Sequence, residues 1–194
     1  MTVHRIEAES YRILAGRVDL SGLAPGPRAV VGRVIHASAD VEYAATMVLD
    51  EAAVEAGAAA LRARAPVVAD VEMVAAGITV RRAQCYLGEV AAAGELTRSA
   101  AAMRVAADRH PAGAVVVVGC APTALVEAVR LALDGRWSPG LVVGMPVGFV
   151  GAAEAKQLAR DSRLPSITNV GEKGGSAVAA AVVNALGRLA DGNG

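Results

Sequence analysis

The chain carries three histidines, His4, His36 and His110, and one of them stands among other polar groups. In "RVIHASAD", residues 33 to 40, Arg33 comes before His36, and Ser38 and Asp40 follow it. Imidazole titrates near neutrality, which makes it the natural side chain for moving one proton without a metal. A histidine at the end of an element is more often a hydrogen-bonded structural group. What favours chemistry at His36 is its expected place, where the apolar run "AVVGRVIH" opens into a loop. Asp40 is read either as a group that orients the ring or as the cap of the next helix. His4 lies near the N-terminus and His110 stands before Pro111 at a helix end, and neither is expected to do chemistry.

Groups that could hold an anion are more scattered. "TRS" (97–99) and "RR" (81–82) bring guanidinium groups, which suit bidentate contacts with carboxylates. "GCAPTAL" and "KGGSAV" are glycine-bearing helix starts, where free amides and the helix dipole favour negative charge. In the second, Ser176 is expected to cap the helix, with Gly174 and Gly175 as the bend. Neither GxxxxGK[ST] nor GxGxxG is present, and no Ser–His–Asp order with a nucleophile elbow is visible. Cys85 and Cys120 show no CxxC spacing and no metal-ligand pattern with histidine, so they read as reduced, buried thiols. No metal site and no cofactor is expected. "GMPVGFVGAAEAK" sets the only phenylalanine, Phe149, in a Gly/Pro loop, as a staple on the next helix or as an apolar wall for a large ligand.

These groups must be positioned by alternating elements. Strands are expected at 29–36, at the start of 66–74, at 79–87, 114–120 and 140–148, and after Pro165 in 165–171. Helices are expected at 50–64, at 95–110, after Pro122, in "AAEAKQLARDS" and in "GGSAVAAAVVNALGRLA". The strands are continuously apolar rather than alternating, which suggests a sheet covered on both faces. Strand–helix–strand repetition then predicts a single α/β domain with a mainly parallel sheet and right-handed crossovers. Residues 1–28 read as an N-terminal helix and loop, and 190–194 as a frayed end. Ligands of such folds bind beyond the carboxyl ends of the strands. His36, 119–123, 145–150 and 170–176 are therefore expected on one rim.

Bulk properties narrow the function. Hydrophobic residues make up 54% of 194, enough for a substantial core, and aromatic residues only 3%, so small side chains build it. Nineteen basic residues balance nineteen acidic ones, which argues against a dedicated nucleic-acid binder. No apolar run reaches the ~18 to 20 residues that span a bilayer, and no signal-peptide pattern opens the chain, so a cytoplasmic protein is expected.

Read together, "IEAESYRIL", "RVIHASAD", "PVVADVEMVAAGI", "TRSAAAM", "VGCAPTAL", "GMPVGFVGAAEAK" and "GEKGGSAVAAAVVNAL" resemble the precorrin-8X methylmutase (precorrin isomerase) family of cobalamin biosynthesis. The resemblance covers nearly the whole chain. It implies an isomerase that moves a methyl group from C-11 to C-12 of a corrinoid macrocycle. The substrate would be precorrin-8X or its cobalt counterpart. It implies a homodimer with the ligand near the subunit interface, and His36 as general acid. For the carboxylates around the macrocycle, the candidate partners are Ser10, Arg33, Thr97, Arg98, Ser99 and the amides around Gly174, Gly175 and Ser176. Two departures stand out: family members often have Asn at Cys120 and Ser at Ala155, each removing a polar group from the expected rim. The competing reading is a corrinoid carrier that binds without turnover, against which the presence of His36 argues. A nucleotide-dependent enzyme is disfavoured by the missing fingerprints.

Overall fold

Residues 5–90 and 96–192 are described by a computed structural model, and His4 lies outside them. The chain begins with helices α1 (Arg5–Ala15), α2 (Pro25–Ser38) and α3 (Tyr43–Thr46), followed by a two-residue strand β1 (Met47–Val48). Next come α4 (Glu51–Arg62), β2 (Val67–Ala69), α5 (Glu72–Gly77) and β3 (Gln84–Cys85). The remainder alternates: α6 (Arg98–Arg109), β4 (Val115–Val118), α7 (Pro122–Leu133), β5 (Leu141–Gly144), α8 (Ala152–Asp161), β6 (Ser166–Asn169) and α9 (Ser176–Ala190).

The strands form one sheet in the order β1-β6-β5-β4-β2-β3, parallel throughout except for β1 at one edge, which runs antiparallel to β6. Alternate side chains of each central strand enter different cores. Val67, Val115, Val117, Leu141 and Val143 pack under α2, α4, α5 and α9. Val68, Val116, Val118 and Val142 pack with residues of α6, α7 and α8 on the other face. That is why the runs are apolar at every position, as expected of a sheet covered on both sides. Among the described residues no helix is long and apolar enough to cross a membrane.

Three expectations need correction. The run "AVVGRVIH" is helical, not a strand, because Pro25 and Pro27 open α2 and its buried residues fall at Val30, Val31, Val34 and Ile35. That spacing is one face of a helix, and the valine content that suggested a strand is overridden by packing against α9. The N-terminal loop therefore ends at residue 24, before α2 begins. Of the strand expected at 79–87, only Gln84–Cys85 pairs with the sheet. Finally, the edge strand β1 was not foreseen, being two residues long.

Candidate active site

His36 occupies the last turn of α2, and α1 lies across it. Ser10, on α1, places its hydroxyl 2.7 Å from the ring Nδ1, and Tyr11 stacks on the ring with centroids 4.9 Å apart and planes at 12°. Both are in reach because Glu7, Ser10, Tyr11 and Leu14 fall at i, i+3, i+4 and i+7 on one face of α1. One turn back along α2, Arg33 Nη1 donates to Glu7 Oε1 at 2.8 Å, and Arg188 of α9 pairs with the same oxygen at 2.8 Å. Of the two roles read for Asp40, orienting the ring is not seen, since the group at Nδ1 is the Ser10 hydroxyl. Asp40 instead accepts from the Glu42 amide and pairs with Lys173.

Burial lowers the pKa of His36 below its usual 6.5, Arg33 and Arg188 lower it further, and Glu7 opposes them. Burial pushes the Glu7 carboxyl up, but Arg188 and Arg33 together hold it below the usual range. The imidazole is thus mostly neutral at pH 7, although its place at a helix C-terminus favours the protonated form. With Nδ1 engaged by Ser10, Nε2 is the nitrogen available to a ligand. The ring lines a cleft of about 90 Å³ with Ser10, Ile13, Leu14, Arg17, Ile35, Ala39 and Val41. The cleft shares Ser10 and Ile13 with an open apolar hollow of about 420 Å³ along α1. A larger hollow of about 470 Å³ lies between β1 and the α8–β6 turn, away from every candidate residue.

The carboxyl ends of β2, β4, β5 and β6 carry a second group of candidate residues. Helix α2, which bears His36, packs against α9 over one face of the sheet, and the residues just after it reach the β6 end, where Asp40 pairs with Lys173. The crevice between β2 and β4, where strand order reverses, is closed by Asp70. Its fully buried carboxylate accepts the amides of Gly119 (3.0 Å), Cys120 (2.9 Å) and Ala121 (2.8 Å). The anion-friendly start of α7 is therefore filled by the protein's own carboxylate. The start of α9 is likewise engaged: Gly175 donates its amide to the Met145 carbonyl at 2.8 Å. Gly174 is pressed so close to the Met145 and Pro146 carbonyls that a Cβ there would stand 2.3 Å from the first. Gly175, not Ser176, is the cap position, and Ser176 is the first helical residue without a capping hydrogen bond.

Thr97 caps α6 through the Ala100 amide and lies 2.7 Å from the Thr123 hydroxyl at the head of α7. Arg98 is exposed and donates to the Leu87 carbonyl at 3.0 Å, and Ser99 is half-buried beside it. Phe149 is 91% exposed, so it is not a staple on α8. Cys120 is exposed and Cys85 half-buried, not the two buried thiols expected. Ala155 is buried in the core between α8 and the sheet, so a serine at that position would not face the rim.

Several polar residues escaped the sequence reading. Glu7, Tyr11, Arg17 and Arg188 surround His36, and Lys156 is fully buried on α8. Burial lowers the Lys156 ammonium to about 8, with Arg160 adding to the effect. The signal for Lys156 was present: Ala152, Ala155, Lys156 and Ala159 make a single buried stripe, and the lysine stands within it.

Comparison with known proteins shows the family to which the chain belongs. The sequence profile of precorrin-8X methylmutase matches residues 5–189. The chain belongs to the precorrin-8X methylmutase family. It is 41% identical over 194 residues to the precorrin-8X methylmutase of Pseudomonas aeruginosa, covering 93% of each chain. It is also 41% identical over 162 residues to the cobalt-precorrin-8 methylmutase of Methanocaldococcus jannaschii, covering 81% of this chain and 77% of that one. The precorrin-8X methylmutase crystal structure from Thermus thermophilus superimposes with a TM-score of 0.88 at 38% identity, over 98% of this chain and all of that one. As a precorrin-8X methylmutase family member the chain is an isomerase, and its α/β fold is that of its solved relatives.

Proposed function

We propose that the protein moves the C-11 methyl of precorrin-8X, or of its cobalt counterpart, to C-12, with His36 as general acid. The observation that carries this reading is an imidazole with one nitrogen held by Ser10, its face covered by Tyr11, and the ring lining a cleft. The imidazolium lends a proton from Nε2 to the conjugated macrocycle. The bond from C-11 to the methyl carbon then breaks as the bond to C-12 forms, and the proton returns, so nothing is gained or lost overall. One positioned acid supplies what such a shift needs.

Around the macrocycle, carboxylates call for cationic and hydroxyl partners. Beside His36 these are Ser10, Arg33 and, added by the geometry of the cleft, Arg17. We assign Thr97, Arg98, Ser99 and the turn at Gly174, Gly175 and Ser176 to the same ligand. The cleft at His36 is far smaller than a corrinoid, and none of these residues lines it. We therefore propose a homodimer in which a second copy covers the α1 face, where Ile13 and Val41 are exposed beside His36. A cytoplasmic setting fits this reaction. The test is precorrin-8X carrying ¹³C in the C-11 methyl group. After incubation the label should resonate as a C-12 methyl in the product. A label that stays on C-11 while the ligand binds would leave a carrier.

A further inference from the structure

We propose that Lys156 is a positioning residue for His36: it fixes the turn between β6 and α9 and, through Lys173, the end of the helix that carries the imidazole. The inference rests on the reading of His36 as the catalytic group.

Lys156 is fully buried and takes no part in the proton transfer described above. Its Nζ donates to the Lys173 carbonyl at 2.6 Å and to Asn169 Oδ1 at 3.2 Å. Asn169, also fully buried, donates from Nδ2 to that same carbonyl at 2.8 Å. An ammonium group taken out of water is costly, and a methionine would fill the same space without that cost. What the charged group adds is a fixed position for one backbone carbonyl, that of Lys173.

From that point the chain reaches back to α2. The Lys173 ammonium lies 2.8 Å from Asp40 Oδ2 and also pairs with Glu42. Val170 donates its amide to the Thr46 carbonyl at 2.8 Å, and Met47 pairs with Asn169 in the sheet. Residues 40–47, which follow α2 directly, are thus tied to the 169–173 turn by ion pairs, a backbone hydrogen bond and strand pairing. An exposed ion pair alone would hold little. Gly174 adds rigidity, since the Met145 and Pro146 carbonyls leave its backbone no room on that side. His36 sits four residues before Asp40, so a shift of the turn is passed to the imidazole. Displacement of a reacting group by about 1 Å is enough to slow catalysis severely.

The experiment is steady-state turnover of precorrin-8X by Lys156→Met, Lys173→Met, the double variant and His36→Ala. Lys156→Met should lower kcat about tenfold or more and Lys173→Met by a smaller factor, while KM stays within about twofold in each. The double variant should be no slower than the slower single one, because both changes cut one line of contacts. Lys173→Arg, which keeps the charge, should recover most of the rate. Wild-type kcat in Lys156→Met with only a lower Tm would overturn the proposal, as would losses that multiply in the double variant. If Lys156→Met does not fold, the half-exposed Lys173 decides: wild-type kcat in Lys173→Met is then the overturning result. A fully active His36→Ala variant would remove the catalytic reading itself. An inactive one beside fully active lysine variants would remove only the positioning role.

Discussion

At the scale of single residues, the account turns on the charge state of one imidazole. Burial and Arg33 hold His36 below its ordinary pKa, and Glu7 pulls the other way. In the free enzyme, kcat/KM should therefore fall as pH rises through a value below 6.5. Glu7→Gln removes the charged side chain that favours the protonated ring and frees two guanidinium groups beside it, so the inflection should move to lower pH. A pH profile of kcat/KM, with the His36 ring signal followed by NMR, checks this. An inflection that moved upward would contradict the electrostatic picture. A bound polycarboxylate should act oppositely, raising the pKa and placing the inflection of kcat at higher pH than that of kcat/KM. The same depressed pKa bears on stability. The folded ring resists protonation, so its contribution is present above about 6.5 and is lost as pH falls through the lower folded value.

At the scale of elements, the sheet's carboxyl ends are held by the protein's own polar groups. Asp70 accepts three amides from the β4–α7 turn. In Asp70→Asn, one oxygen must become an amide nitrogen facing an N–H donor, which leaves buried donors unpaired. The variant should lose about 2 kcal/mol of stability, read by denaturant unfolding. A loss within experimental error would show that the turn does not depend on the carboxylate. Much of this architecture was legible beforehand. The runs 114–120 and 140–148 each contain a parallel strand, and the helices at 50–64 and 95–110 form with ends a few residues inside those limits. The failure at 29–36 has a physical cause: valine and isoleucine favour strands locally, and only the burial of Val30, Val31, Val34 and Ile35 against other helices reveals the helical period. The site was legible in part. His36 and Ser10 do meet, 26 positions apart in sequence. Glu7 and Arg188 stayed hidden, because their pairing depends on how α1 and α9 pack beside α2. Asp70 hid as well, since a carboxylate after an apolar strand looks like any loop residue until the amides it accepts are seen.

At the scale of the whole molecule, the residues assigned to the ligand fall in two places, the α1–α2 cleft and the carboxyl ends of the sheet. A second copy against the α1 face is expected to unite them around one macrocycle. Sedimentation should give twice the chain mass, and Ile13→Asp, placed on that face, should give the monomer with turnover lost. A fully active monomer would contradict the shared-site arrangement. The central claim, that His36 drives the rearrangement, is tested most directly by absorbance. Precorrin-8X is mixed with a stoichiometric excess of the wild-type protein or of His36→Ala, and the conjugated chromophore is followed in time. The wild-type protein should shift the spectrum to that of the rearranged ring, while the variant binds the macrocycle and leaves its spectrum unconverted. Conversion by the variant at the wild-type rate would contradict the account.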